Sequence, residues 1–99
     1  MHSVLLSGVL LEKESRRYSP AGVAFLSAQM RHEDEVIENN IVRKIAFELP
    51  ILAAGEMAFR LESLPLGEKV IFKGFLAPRQ KKQKRLVFHI QSIEFLKGI

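Results

Sequence analysis

Residues 79–85 read RQKKQKR, and five of these seven side chains are cationic while none is acidic. Clustered Lys and Arg can neutralise the phosphates of a nucleic acid and release its condensed counterions. A run of like charges is also typical of a solvated loop that binds nothing. The segments on either side are rich in β-branched and aromatic residues, so we expect the cations at a hairpin tip. Both interpretations, a polyanion-binding loop and a solvated loop, follow from the charge run alone.

A second candidate group lies near the N-terminus, where Arg16 and Arg17 precede Tyr18. The following Ser-Pro-Ala-Gly sequence (19–22) is a turn signal, because proline fixes one φ and glycine permits a positive one. A basic pair beside an aromatic ring can bind a phosphate and stack a base. The alternative is a solvated turn with Tyr18 packed at its rim, and the sequence favours neither.

The residue types that catalysis and metal binding require are absent or scattered. His2, His32 and His89 lie on separate predicted elements without metal-ligand spacing, and the chain contains no Cys. It has neither a phosphate-cradling glycine loop nor a nucleophile elbow. The sequence therefore predicts no catalytic residues, no metal site and no cofactor, which favours a binding protein over an enzyme.

Charge is distributed unevenly along the chain. The formal net charge is +4, but residues 1–50 carry six Lys/Arg against seven Asp/Glu, whereas residues 51–99 carry nine against four. An excess concentrated in one region is typical of a surface that binds a polyanion. No apolar run is long enough to span a membrane and the N-terminus does not resemble a signal peptide, so we expect a cytoplasmic protein without membrane contact.

Hydrophobic patterning predicts five strands and one short helix within a single domain, 1–99. Alternating residues indicate the strands, and good helix formers before a proline indicate the helix at 56–63. The acidic segment 34–40 is predicted to be a loop. The predicted strands are 3–11, 23–33, 41–49, 69–77 and 86–96.

Two irregularities indicate how the strands bend. Gly8 inside the first strand predicts a sharp bend, a bulge or a close backbone approach. In the last strand the apolar side switches between Ile90 and Ile93. One extra residue there, a bulge, would restore a continuous buried face; the alternative is a strand covered on both faces.

Three strands, a helix and two further strands form the order of the all-β, five-stranded OB-fold barrel, with its short helix between strands 3 and 4. That fold binds oligonucleotides on the face of strands 2 and 3 and in the loops joining strands 1–2 and 4–5. Here those loops are 12–22 and 78–85, which contain both basic groups. The order therefore favours a polyanion-binding loop at 79–85.

Several short motifs, in this order and spacing, resemble the primosomal replication protein N family, small bacterial relatives of single-stranded-DNA-binding protein that assist replication restart. The motifs span nearly the whole chain. They are Leu6-Ser7-Gly8, Ser19-Pro20-Ala21-Gly22, Leu49-Pro50-Ile51 with Gly55, Gly67, Lys73-Gly74-Phe75, the basic residues 79–85, and His89-Ile90-Gln91-Ser92-Ile93-Glu94.

The resemblance implies a cytoplasmic homodimer of OB-folds that binds single-stranded DNA without strong sequence preference. It also implies contacts with a restart helicase and other primosome proteins. The chain departs from the wider group because it has no Trp, has Ala46 where a large outward aromatic is expected, and lacks an acidic tail. An aromatic ring that stacks on a base contributes roughly 1–3 kcal/mol of binding free energy per base. Because this chain lacks such a ring at residue 46, we expect DNA binding to be mainly electrostatic.

The hypothesis assigns phosphate binding to the cations of both loops and base stacking to two aromatic rings. Two alternatives remain open: an RNA-binding OB module, and a protein-interaction subunit with weak DNA binding. The predicted nucleic-acid-binding residues are Lys13, Arg16, Arg17, Tyr18, Lys44, Phe75, Arg79, Lys81, Lys82, Lys84 and Arg85.

Overall fold

The chain forms six strands and one helix in a computed structural model that describes residues 1–96. The last three residues, predicted to be a short end without an acidic tail, lie outside the described part. The elements are β1 (Val4–Lys13), β2 (Arg17–Tyr18), β3 (Ala24–Glu38), β4 (Ile41–Ala54), α1 (Glu56–Ser63), β5 (Val70–Pro78) and β6 (Leu86–Phe95).

The strands close into a barrel. Their order is β1-β5-β6-β4-β3-β2, and β1 also pairs with β3. The β4–β6 pair is parallel, at Ile51–Phe88 and Leu52–His89. The two-residue β2 only lines the rim beside β3. Without it the barrel has five strands with α1 between the third and fourth, so the predicted OB-fold is confirmed.

Alternating residues of the strands fill the barrel. In β3 the predicted parity is confirmed, since Ala24, Leu26, Ala28 and Met30 are all buried. Burying apolar side chains on one face of a strand while the other face remains outside is what period-2 patterning produces. The helix α1 closes one end of the barrel with Ala58, Leu61 and neighbouring Leu64. The remaining core residues include Phe72 and Phe88.

Gly8 marks the point at which β1 changes partner. Residues Val4 to Gly8 pair with β5, whereas Val9 to Lys13 pair with β3. A Cβ at Gly8 would lie 2.5 Å from the carbonyl oxygen of Arg31. Glycine therefore lets β3 approach β1 closely where the strand bends, and the expectation drawn from Gly8 is confirmed.

The bulge predicted in the last strand is also present. Lys73 pairs with Ser92 and Gly74 with Ile90, so Gln91 is an extra residue in β6. A Cβ at Gly74 would overlap the carbonyl oxygen of His89 and lie 2.8 Å from its carbonyl carbon. The bulge and the glycine together let β5 and β6 curve around the barrel.

The prediction of an acidic loop at 34–40 is wrong. β3 and β4 remain paired up to Glu38–Ile41, and only Asn39 and Asn40 form the turn. Both have positive φ, 50° and 65°, which is the combination of a type I′ hairpin turn. We call residues 33–46 the hairpin arm. β4 also continues to Ala54, beyond the predicted end of that strand at residue 49.

Candidate nucleic-acid interface

Four outward-facing residues form a row across the barrel. Ser27 of β3 lies opposite Leu52 of β4, and Leu52 lies opposite His89 of β6. Phe75 of β5 completes the row beside His89. Their chain neighbours Leu26, Phe88 and others point inward to the core, so alternation turns these four residues outward. We call them the outer row.

The two predicted basic loops meet over the outer row. A cleft of about 340 Å³ is lined by Arg17, Tyr18 and Phe25 on one side and by Arg79 and Gln80 on the other, with Ser19 and Leu52 completing it. Residues from both predicted loops therefore lie around one cleft. The cleft combines cations with an aromatic ring that is more than half exposed.

A second cleft shows that the basic loop lies over the barrel surface. Arg79, Gln83 and Arg85 line this cleft, of about 240 Å³, together with Ser27 of β3 and Pro50 of β4 among others. The basic loop is tightened by a turn in which the N–H of Gln83 donates to the carbonyl of Gln80 at 3.0 Å. The loop thus covers the β3–β4 face.

The cations of the basic loop are free to bind an anion. All five are exposed, and none forms an ion pair with any residue in 1–96. Other arginines are paired: Arg31 with Glu33 and Glu48, and Arg43 with Glu38. A free cation can bind a phosphate without first breaking an ion pair. The five are Arg79, Lys81, Lys82, Lys84 and Arg85.

Two predicted DNA-binding cations contact α1 instead. The ammonium of Lys13 donates to the carbonyl of Glu62 at 2.6 Å and to that of Leu64 at 2.9 Å. The guanidinium of Arg16 lies 3.3 Å from the Glu62 carboxylate and 4.7 Å from the centre of the Phe59 ring. Cations at the C-terminal end of a helix stabilise its unpaired carbonyls.

Lys44 lies on the hairpin arm, separate from the basic loop. It is paired across the arm with Glu35 and shares a shallow cleft with Glu33 and Asp34. Carboxylates around a cation reduce its attraction for a phosphate. The structure therefore does not bring Lys44 into the group formed by the two loops.

The two predicted stacking rings have different surroundings. Tyr18 is 59% exposed, with the Arg16 guanidinium 5.8 Å from its centre. Phe75 is half-buried, stacked on His89 at 4.7 Å with an angle of 6°, and it meets the edge of His2. One face of Phe75 is therefore already covered.

Sequence reasoning did not assign Ser27, Leu52, His89 or Gln80 to the site. Their positions depend on strand register and on the path of the basic loop, and no local motif marks them. Within residues 1–96, no group of three or more His, Asp and Glu side chains could hold a metal ion. The helix α1, which is the one helix in residues 1–96, is too short to cross a membrane.

In the comparison with protein families, residues 2–92 match a family described as another single-strand binding protein family. Among curated proteins, the chain is 33% identical over 98 residues to replication restart protein PriB of Bordetella pertussis, covering 99% of this chain and 92% of that protein. It is 28% identical over 95 residues to PriB of Nitrosomonas europaea, with 96% and 88% covered.

Solved structures show the same relationship. PriB from Ralstonia solanacearum superposes with a TM-score of 0.86 and 34% identity, covering 96% of this chain and 97% of that one. The single-stranded DNA binding protein from Thermus aquaticus gives a TM-score of 0.75 at 23% identity, with 99% and 51% covered. At that identity the second likeness concerns the fold alone.

Proposed function

Because the chain belongs to the replication restart protein PriB family of single-strand-binding-like proteins, we propose that it is a single-stranded-DNA-binding accessory protein of the bacterial restart primosome. It acts in the cytoplasm, by binding and not by catalysis. The observation that carries the proposal is a loop of five exposed cations without an ion pair in residues 1–96, two of which, Arg79 and Arg85, line a cleft on the outer face of an OB-fold. That face and its loops are where the fold takes oligonucleotides.

We rank the predicted contact residues by their surroundings. The cations of the basic loop and Arg17 bind phosphates, and Tyr18 stacks on a base at the mouth of the cleft. Lys13 and Arg16 support α1 and contribute less, because binding a phosphate would require them to leave the helix. Lys44 and Phe75 are also secondary. Phosphate contacts carry no sequence information, so DNA is bound without strong sequence preference.

A salt titration tests this assignment. On single strands, each phosphate contact contributes roughly −0.7 to the slope of log affinity against log salt concentration. Replacing Lys81, Lys82 and Lys84 by Ala should therefore flatten the slope by about 2. Binding would be measured by fluorescence anisotropy with a labelled oligonucleotide at several salt concentrations.

The matched control removes three cations from outside the loop, in the variant Arg31→Ala/Arg43→Ala/Lys69→Ala. Its net charge equals that of the loop variant, but two of these side chains are already ion-paired. We expect its slope to remain within about 0.5 of the wild type, since these side chains neutralise few phosphates. Equal slopes for the loop variant and the wild type would contradict the proposal. If the protein clearly prefers an RNA of the same sequence, RNA replaces DNA as the proposed ligand.

We further propose that the protein bridges DNA to a restart helicase through the hairpin arm. Ile37, Ile41 and Val42 are 74%, 66% and 62% exposed there, and exposed apolar groups rimmed by polar residues mark protein-binding surfaces. The arm also carries four carboxylates (Glu33, Asp34, Glu35, Glu38), which disfavour contact with DNA. The variant Ile37→Ser/Val42→Ser should lose the helicase in a pull-down and retain its DNA affinity. Undiminished helicase binding would exclude the arm.

The protein is also proposed to be a homodimer, as the family resemblance implies. Within residues 1–96, Val4 to Gly8 pair with β5 on one side and with no strand on the other. On that other side the Ser7 carbonyl accepts a hydrogen bond from Nδ1–H of His32 at 2.6 Å. The remainder of that edge, beside the exposed Leu5, can pair with a second copy across a two-fold axis.

A further inference from the structure

Two buried polar atoms have no hydrogen-bond partner within residues 1–96. They are the hydroxyl oxygen of Ser27 and Nε2 of His89. Buried polar atoms without a partner are rare in native proteins, and each one requires a physical explanation. These two lie on either side of the same residue, Leu52, in the outer row.

The spacing of the outer row suits a flat ring. Neighbouring strands lie about 4.8 Å apart, so Ser27 and His89 are separated by about 10 Å, with Leu52 midway. An aromatic heterocycle lying on Leu52 would therefore present one edge to the Ser27 hydroxyl and the opposite edge to the His89 ring. A hydroxyl both donates and accepts, and Nε2 does one or the other according to its tautomer.

The ring of His89 is held in position for such a contact. It stacks on Phe75 with an angle of 6° between the ring planes, and Phe75 in turn meets the edge of His2. Stacking of this kind restricts rotation of the imidazole ring. Binding a ligand therefore costs little conformational entropy at the His89 side chain, because the ring is already held in place.

The basic loop covers this position. Ser27 and Leu52 point outward, yet each is only 8% exposed, because Arg79, Gln83 and Arg85 line the cleft above them. A nucleotide whose base lay on Leu52 would have its phosphate next to two arginines of that loop.

We propose that Ser27 and His89 form a base-edge site on either side of Leu52, which gives the protein a modest preference among nucleobases. The inference rests on the proposed single-strand binding and adds to it, since phosphate contacts carry no sequence information and stacking tolerates every base. The two unpartnered atoms obtain their hydrogen bonds from the bound base, so the row is completed only in the complex.

The experiment compares dissociation constants of the full chain for dT, dC and dA oligonucleotides of equal length at one salt concentration. Ser27→Ala and His89→Phe remove the two polar atoms, and the phenyl ring preserves the stack on Phe75. Each variant should change the ratio between the tightest and weakest homopolymer by roughly two- to tenfold, the effect of one hydrogen bond. Ser92→Ala, on β6 beyond the bulge, is the matched control and should leave the ratio unchanged.

The outcomes separate this inference from the proposed function. Unchanged ratios in both Ser27→Ala and His89→Phe, or equal affinities of the wild type for all homopolymers, would overturn the base-edge site. The basic-loop triple variant should weaken binding to every homopolymer by the same factor, and its salt slope tests single-strand binding independently. Thermal midpoints of Ser27→Ala at or above the wild-type value would show that a changed ratio does not arise from unfolding.

Discussion

Replacing Lys13 by methionine tests whether this cation stabilises the helix or binds DNA. The side chain donates to the carbonyls of Glu62 and Leu64, which belong to the end of α1 and the residue after it. Methionine is about as long as lysine and keeps an apolar stem, but it has no hydrogen-bond donor. The expected result is a less stable protein whose DNA binding changes little, because the Lys13 ammonium faces the helix.

The magnitude follows from the hydrogen bonds. Two hydrogen bonds from a charged donor contribute about 1.5 kcal/mol each at the low end of their range, appropriate for a half-exposed side chain. The interaction with the helix dipole adds about 0.5 kcal/mol, and ordering the lysine costs about 1.5 kcal/mol. The net loss of unfolding free energy on substitution is therefore about 2 kcal/mol. For a domain of this size that corresponds to a fall in Tm of roughly 10 °C.

Two measurements are needed on Lys13→Met and on Arg17→Met. Urea denaturation gives the change in unfolding free energy, and the salt titration shows how many phosphates each variant still neutralises. Arg17 is exposed and lines the cleft with Arg79. Arg17→Met should therefore retain its stability to within about 0.5 kcal/mol and flatten the salt slope by about 0.7.

The reasoning would be refuted by the reverse pattern in Lys13→Met. A variant as stable as the wild type, with a salt slope flattened by about 0.7, would mean that the Lys13 ammonium binds a phosphate. The hydrogen bonds to the end of α1 would then not contribute to stability. Lys13 would belong to the DNA-binding surface, as its sequence position suggests.

Three further predictions, tested with four variants, concern the fold and the assembly. Gly74→Ala should lower the free energy of unfolding by more than about 3 kcal/mol or prevent folding, because the added Cβ would overlap the His89 carbonyl. In the control Gly22→Ala, where the space is open, the loss of unfolding free energy should be about 1–2 kcal/mol. Equal losses in the two variants, measured by urea denaturation, would contradict this account. Asn40→Gly should stabilise the hairpin arm by about 0.5 kcal/mol, because glycine favours the positive φ of 65°. The measurement is amide hydrogen exchange in the arm, which should become slower; faster exchange would contradict the prediction. Leu5→Glu should shift a dimer to monomer in equilibrium sedimentation at micromolar concentration, and an unaffected dimer would place the interface elsewhere.

The features of the fold that were predictable have local signatures. Buried alternation in β3 appears directly in the sequence because one face of the strand packs on the core. The switch of apolar side after Ile90 revealed the bulge at Gln91, since an extra residue reverses the facing of all later ones. Gly8 indicated the bend because a side chain there would collide with the backbone of Arg31 in β3.

The pairing of residues 34–38 could not be predicted because this part of the hairpin arm has no buried face. All of these side chains are exposed, so no alternation of apolar and polar residues was selected there, whereas residues 41–46 belong to a strand that alternation did predict. Its acidic composition indicated a loop, whereas pairing up to Glu38–Ile41 and the ion pair between Arg43 and Glu38 extend the strands. Pro50 likewise suggested the end of a strand. It is accommodated within β4 just before Ile51, where pairing with β6 begins.

The sequence predicted where the positive charge of the candidate site lies, but not which cations are already bound within the protein or which outward-facing residues lie beneath the basic loop. The basic loop is conspicuous because five cations occur together without a carboxylate nearby in sequence. The partners of Lys13 and Arg16 are far along the chain, on and just after α1, so no local pattern could show that these cations are occupied. The outer row depends on register between four strands, which only the closed barrel determines.

The change of partner within β1 also determines the order in which the barrel can form during synthesis. Val9 to Lys13 can pair with β3 soon after both segments leave the ribosome, whereas Val4 cannot pair until its partner Gly74 in β5 has been synthesised. Until β5 has been made, the first half of β1 exposes an unpaired edge that could associate with other chains. Closure thus couples the two ends of the sequence, and a chain truncated after α1 should aggregate instead of folding into a smaller domain.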